Sequence, residues 1–210
     1  MLSRRLLLVV SLVFAFAPAS LALPPNSAQM AETVIDQPQA RVFSAAEIAA
    51  LQHRADAGDL EAEFRLGAAY RDGVPILPQN QAESVKWFHK AADQGFAKAE
   101  AELGNMYFHG TGVRKDYSEA LRWFTKAAQQ ADALAANAVG YLYYNGYGVQ
   151  RNYSYAFEWF SKSAQQGDVA AQYALGLMYR GGDGVNRNFA EAAKYFHASA
   201  ERRGCQSRCY

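Results

Sequence analysis

The sequence predicts an all-α fold, a right-handed α/α solenoid of four helix pairs behind an N-terminal capping helix, on three observations. The pair Leu-Gly recurs at Leu66-Gly67, Leu103-Gly104 and Leu175-Gly176, with Val139-Gly140 in phase, at spacings of 37, 36 and 36. A tyrosine stands three residues after each glycine, at Tyr70, Tyr107, Tyr143 and Tyr179. An aromatic pair, Trp87-Phe88, Trp123-Phe124, Trp159-Phe160 and Tyr195-Phe196, keeps a period of 36 with small residues behind it (Ala91-Ala92, Ala127-Ala128, Ser163-Ala164, Ser199-Ala200). Self-similarity at such a period marks stacked supersecondary units that share one continuous core.

Taken in chain order, the first element is an export address. Arg4 and Arg5 precede twelve apolar residues, "LLLVVSLVFAFA" from Leu6 to Ala17, and small residues at Ser20 and Ala22 suit cleavage after Ala22, with Ala19 as second choice. Twelve residues fall short of the roughly 20 that a membrane span needs, so residues 1–22 are expected to be a cleaved signal, and no stable membrane insertion is expected afterwards. Residues 23–43 carry three prolines, lack helical periodicity and read as a linker. Ser44 with Glu47 forms a capping-box pattern that opens a helix up to Gly58, within a capping segment 44–61.

The repeats follow at 62–98, 99–134, 135–170 and 171–203. In each, the first helix holds the small–x3–Leu-Gly–x2–Tyr pattern, which places three contacts on one face. The glycine beside the leucine costs about 1 kcal/mol of helix propensity; close approach of the paired helix is the natural compensation. The second helix starts at Asn80, Asp116, Asn152 or Asn188, all good N-caps. Glu83, Glu119 and Glu191 stand three places on, as in a capping box, and Tyr155 takes that place in the third repeat. Gly95 and Gly167 suit the closing turn, Ala131 replaces glycine in the second repeat, and Gly204 is displaced by one place in the fourth. Between the helices lie "GTGV", "GYGV" and "GDGV", whose paired glycines permit the chain to reverse. In the first repeat Gly73 is kept, Pro75 replaces the second glycine, and one extra residue accounts for the spacing of 37.

This combination, over about residues 62–203, resembles the Sel1-like repeat family, a relative of the tetratricopeptide array. The carrying motifs are the Ala–x3–Leu-Gly–x2–Tyr helix, the Gly-x-Gly-Val loop and the Trp-Phe-x-Lys-Ala-Ala helix. The resemblance implies an exported adaptor that binds protein or peptide segments and helps assemble or regulate a cell-envelope or signalling complex. An alternative it also implies is a hydrolase of cell-wall peptides or β-lactams. The secreted members for which that activity has been proposed carry a cysteine pair in each repeat, which this chain lacks.

Chemistry elsewhere is sparse. Setting aside Arg4 and Arg5, 19 of the 21 basic residues stand against 20 acidic ones, which gives no electrostatic footprint for nucleic acid. No strand or Gly-Lys-Ser/Thr ending accompanies the glycine loops, so they are not phosphate cradles. His89 and His197 share a repeat position three repeats apart and cannot meet at one metal. No Gly-x-Ser-x-Gly or HExxH occurs. Catalytic, metal and cofactor sites are therefore expected to be absent.

By analogy with tetratricopeptide arrays, the first helices line a concave groove. Its candidate partner-binding residues are Phe64, Arg71, Asn105, Phe108, Asn137, Tyr141, Tyr144, Tyr173 and Arg180, which offer amide and guanidinium donors among apolar rings. Tyr144 with Arg180 is the pair whose loss is expected to abolish partner capture. In the tail 204–210, Cys205 and Cys209 read first as a local disulfide and second as free thiols. The tail, or a partner docked there, is expected to cover the end of the solenoid.

Overall fold

The computed structural model describes residues 44–206, with side chains to residue 201. The signal, the linker and Cys209 lie outside the described residues, as does the side chain of Cys205. The described residues form an α-solenoid of nine helices with no strand beyond an isolated bridge between Val74 and Leu77. They are α1 (Ala45–Asp56), α2 (Leu60–Asp72), α3 (Gln81–Asp93), α4 (Ala97–His109), α5 (Tyr117–Gln129), α6 (Ala133–Asn145), α7 (Tyr153–Gln165), α8 (Val169–Gly181) and α9 (Phe189–Gln206). The repeat units are α2–α3, α4–α5, α6–α7 and α8–α9, each helix packing on its neighbours in the chain. Two boundaries differ from expectation. The first helix of the first pair begins at Leu60 rather than 62, because Asp59 accepts from the Ala62 amide and caps it. The last helix continues through Gly204 to Gln206, so Gly204 is no terminator.

The helix glycines do what their cost requires. A Cβ on Gly104 would lie 2.6 Å from Cδ1 of Phe124, and Gly67, Gly140 and Gly176 face Phe88, Phe160 and Phe196 in the same way. The phenylalanine of each aromatic pair thus lies flat on the glycine of its own unit, allowing close packing of the two helices. Tryptophan turns the other way. Trp87 joins Leu51, Ala55 and Leu66, and Trp123 joins Val85, Phe88 and Leu103, so each ring seals its unit onto the preceding one. Lys90, Lys126 and Lys162 lie over the three indoles at 3.7, 4.1 and 4.1 Å.

Capping follows the sequence in part. The complete box forms at Ser44 and Glu47. Asn80, Asp116, Asn152 and Asn188 all accept amides of the first turn. The glutamates do not complete the box there: Glu119 bonds Arg122 at 2.8 Å, and Glu83 and Glu191 pair with Lys86 and Lys194. The cap N–H groups instead donate to the carbonyls of Tyr70, Tyr107, Tyr143 and Tyr179 at 2.8 to 3.0 Å. The recurrent tyrosine therefore anchors the next helix through its backbone.

The loops also join one unit to another. Gly148 sits at φ +68, and a Cβ there would lie 2.4 Å from the backbone carbon of Tyr117, at the start of the preceding unit's second helix. Gly112 and Gly184 press on Gln81 and Tyr153 likewise. Chain reversal is half of their role; close docking is the other half.

Candidate functional site

The first helices of the second and third units, α4 and α6, carry an open face with two adjoining cavities. One, of about 210 Å³, is lined by Asn105, Phe108, His109, Phe124, Leu134, Asn137, Ala138 and Tyr141. The other, of about 240 Å³, shares Asn105, Leu134 and Ala138 and extends to Phe64, Lys98 and Glu102. Five of the nine expected groove residues, Phe64, Asn105, Phe108, Asn137 and Tyr141, are thus brought together. They converge because equivalent positions on successive first helices lie side by side in a stack.

The remaining four divide by what they touch. Arg71 donates from Nη1 to Glu102 at 2.8 Å and from Nε to Asp72 at 2.7 Å, and these carboxylates hold its guanidinium well above the usual arginine range. Tyr144 donates from its hydroxyl to Asp183 Oδ2 at 2.8 Å and packs on Tyr153 with centroids 5.0 Å apart. Burial first, and then that carboxylate, push its pKa up to about 12. Tyr144 is therefore a tie between the third and fourth units and lines neither cavity. Tyr173 is 43% exposed beside Phe196, and Arg180 points its guanidinium toward the same ring, 5.9 Å from the centroid. Neither lines the two cavities.

Leu134 escaped the sequence reading and stands at the centre of the face, 72% exposed and shared by both cavities. Its signal was present: the equivalent positions hold Glu61, Lys98 and Ala170, and α6, "ALAANAVGYLYYN", contains no charged residue at all. Phe108 and Tyr141, which line the smaller cavity, belong to a cluster of four rings. Phe108 lies 5.3 Å from Tyr117 and 6.1 Å from Tyr141, and Tyr117 stacks on Tyr147 at 4.9 Å. The side-chain amides of Asn105 and Asn137 make no hydrogen bond among the described residues.

The hydrogen-bonded serine hydroxyls at Ser44, Ser118, Ser163 and Ser199 contact carboxylates or backbone carbonyls rather than a histidine. Among the described residues no three His, Cys, Asp or Glu side chains converge on a metal position, and no helix is long and apolar enough to cross a membrane.

The Sel1 repeat profile matches residues 60–96, 97–132, 133–168 and 169–203, well over half of the chain. The chain belongs to the Sel1 repeat family. A protective antigen present in uropathogenic Escherichia coli strains is 37% identical, with a TM-score of 0.72 over 74% of this chain and 33% of that one. A Sel1 repeat protein from Oxalobacter formigenes is 36% identical, with a TM-score of 0.70 over 74% of this chain and 64% of that one. Chitin synthase regulatory factor 3 of Schizosaccharomyces pombe is 46% identical over 59 residues, 28% of this chain. The match spans only 6% of that regulator's length. Sel1 repeats mediate protein–protein contacts, and the open face of α4 and α6 presents Leu134 and Tyr141 to solvent.

Proposed function

We propose that this Sel1 repeat protein is an exported adaptor, periplasmic or secreted, that binds protein or peptide segments through its groove and helps assemble or regulate a cell-envelope or signalling complex. One observation carries the reading: Leu134 and Tyr141 are exposed two turns apart on α6, in one cavity with the unbonded carboxamides of Asn105 and Asn137. Exposed apolar residues grouped in this way mark interaction surfaces. The repeats supply a rigid scaffold, so the groove can be preorganised and spend little entropy on binding. Export rests on Arg4, Arg5 and the apolar run that follows.

A second contact surface is proposed at the C-terminal end. Tyr117 and Tyr153 are covered by the loop glycines of the following units, whereas Phe189 at the same position is 65% exposed.

Affinity purification of the tagged full chain from its native envelope tests the adaptor. A stoichiometric protein partner is expected, lost when Asn105, Asn137 and Tyr141 are together changed to alanine in a chain that stays folded. Undiminished capture by that triple variant would overturn the groove as the binding surface. Fractionation with N-terminal sequencing tests export; a mature chain starting at Leu23 is expected, and an unprocessed cytoplasmic chain would overturn it.

A further inference from the structure

The groove reading leaves open what kind of segment it takes, and the α4–α6 face carries that further. The smaller cavity has no Asp, Glu, Lys or Arg in its lining, and the helix that forms its far wall has none anywhere along its length. The charges of this face lie in the adjoining cavity: Glu102 is paired with Arg71, the Asp132 carboxylate caps the Ala135 amide, and Lys98 reaches toward the Phe96 ring, 5.9 Å from its centroid. A charged side chain entering the smaller cavity would lose water without meeting an Asp, Glu, Lys or Arg there, which is costly. A bulky apolar side chain would gain the surfaces of Phe108, Leu134 and Tyr141. Leu134 is the more telling because the neighbouring unit puts Lys98 at that position.

The two carboxamides add a direction. Asn105 on α4 and Asn137 on α6 line the same cavity, and neither side chain has a partner among the described residues. A carboxamide offers a donor and an acceptor together, the complement of a main-chain peptide group. In an extended segment alternate side chains point to opposite sides. One apolar side chain can therefore enter the cavity while the flanking backbone amides face the two asparagines.

Resting on the adaptor reading above, we propose that the α4–α6 section of the groove receives an extended, uncharged peptide segment, with one bulky apolar side chain between Phe108, Leu134 and Tyr141 and its main chain hydrogen-bonded to Asn105 and Asn137. The charge balance selects this occupant: the neutral cavity complements a neutral segment and discriminates against acidic and basic ones by leaving their charges unpaired.

The test is a cellulose-bound array of short peptides of varied composition, probed with the purified full chain, followed by fluorescence anisotropy on the best binder. The bound set is expected to be depleted in Asp, Glu, Lys and Arg and enriched in Leu, Phe and Met. Affinity is expected to fall about tenfold or more in the Asn105→Ala/Asn137→Ala double variant and in Leu134→Glu, since each removes more than about 1.4 kcal/mol. Both sites face solvent, so circular dichroism and Tm are expected to stay at the parental values. A bound set enriched in charge, affinity indifferent to these variants, or no bound peptide would each overturn the proposal. So would saturable binding of a neutral oligosaccharide with loss of peptide binding, which would make the rings and amides a sugar site. Partner capture that still depends on Tyr141 while the array fails would leave the adaptor standing and remove only this inference; capture indifferent to the groove would remove both.

Discussion

Phe108 and Tyr144 occupy the same place in successive units, at the last turn of a first helix, yet they use it differently. At the junction of the second and third units, Phe108 meets Tyr117 and Tyr141, Tyr147 stacks on Tyr117, and the cluster leaves Tyr141 and Tyr147 partly open, at 45% and 37%. At the next junction the loop residue is Asp183 in place of Tyr147, and it closes on the Tyr144 hydroxyl at 2.8 Å. The backbone is common to both: a Cβ on Gly148 would lie 2.4 Å from Tyr117 and one on Gly184 would lie 2.5 Å from Tyr153. The difference teaches that in a repeat array the backbone contacts are copied and the side chains are free to diverge. A polar tie makes one junction internal; an aromatic cluster makes the other available.

Breaking what the two junctions share is expected to have the largest effect. Gly148→Ala and Gly184→Ala each put a Cβ into backbone at positive φ, and each is expected to cost about 3 kcal/mol in denaturant unfolding. A large cost at one and a negligible cost at the other would break the equivalence.

Next come the side chains that differ. Tyr144→Phe removes a charge-assisted bond and is expected to cost about 1 to 2 kcal/mol, whereas Phe108→Tyr, with no carboxylate in the matching loop, is expected to stay within about 0.5 kcal/mol of the parent. The Tyr144 phenol also provides a spectroscopic check. Its pKa in the folded chain is raised to about 12 from an ordinary value near 10. Its protonated form is favoured by folding, so the stability it contributes is present below pH 10 and is lost as pH rises toward 12. A late-titrating tyrosine at 295 nm that vanishes in Tyr144→Phe is expected.

The turns entering the two junctions sharpen the comparison further. Gly167 closes one at φ +93, while Ala131 closes the other at φ +64, a strained conformation for a residue with a Cβ. Ala131→Gly is expected to stabilise the chain by about 0.5 to 1 kcal/mol, and an unchanged or lower Tm would count against strain there.

The smallest effect concerns a buried carboxylate found on one side only. Glu100 is 3% exposed, accepts from Gln130 at 2.8 Å, and has its pKa raised by burial; the matching residue in the third unit is Ala136. A carboxyl with a raised folded pKa contributes stability below its unfolded value of 4.5 and loses it as pH climbs through the folded value. Glu100→Gln keeps an acceptor for Gln130, so it is expected to raise Tm by about 2 °C at neutral pH. The gain is expected to disappear near pH 4; a constant gain across pH would mean that burial of charge is not its source.

Much of the fold was legible before the structure. Leu-Gly, Tyr and Trp-Phe recur in register because each must meet the same neighbour in every unit, and Asn80, Asp116, Asn152 and Asn188 cap helices through bonds within one turn. Less legible were bonds between elements. The cap amides of those four residues go to the tyrosine carbonyls, and Glu83, Glu119 and Glu191 go to a basic residue three places on. Sequence spacing suited both outcomes. In the groove, Asn105, Asn137 and Tyr141 line one cavity as their shared helix face suggested, whereas nothing local says that Asp183, 39 residues after Tyr144, will reach its hydroxyl. Nor does anything local mark Leu134, whose departure from Glu61 and Lys98 was visible only by reading across the repeats.

By itself the sequence determined the period, the helix pairs, the loops and the ring-on-glycine complementarity, since these follow from local propensity and from a pattern that recurs with constant spacing. Only the tertiary structure decided which ring meets which glycine, that the second loop glycine docks on the preceding unit, and which of the groove residues remain free. Those outcomes depend on close contacts between residues some 30 to 40 apart in sequence, such as Gly148 and Tyr117 or Tyr144 and Asp183. Such contacts are set by the stacking of whole units, which no local stretch of chain encodes.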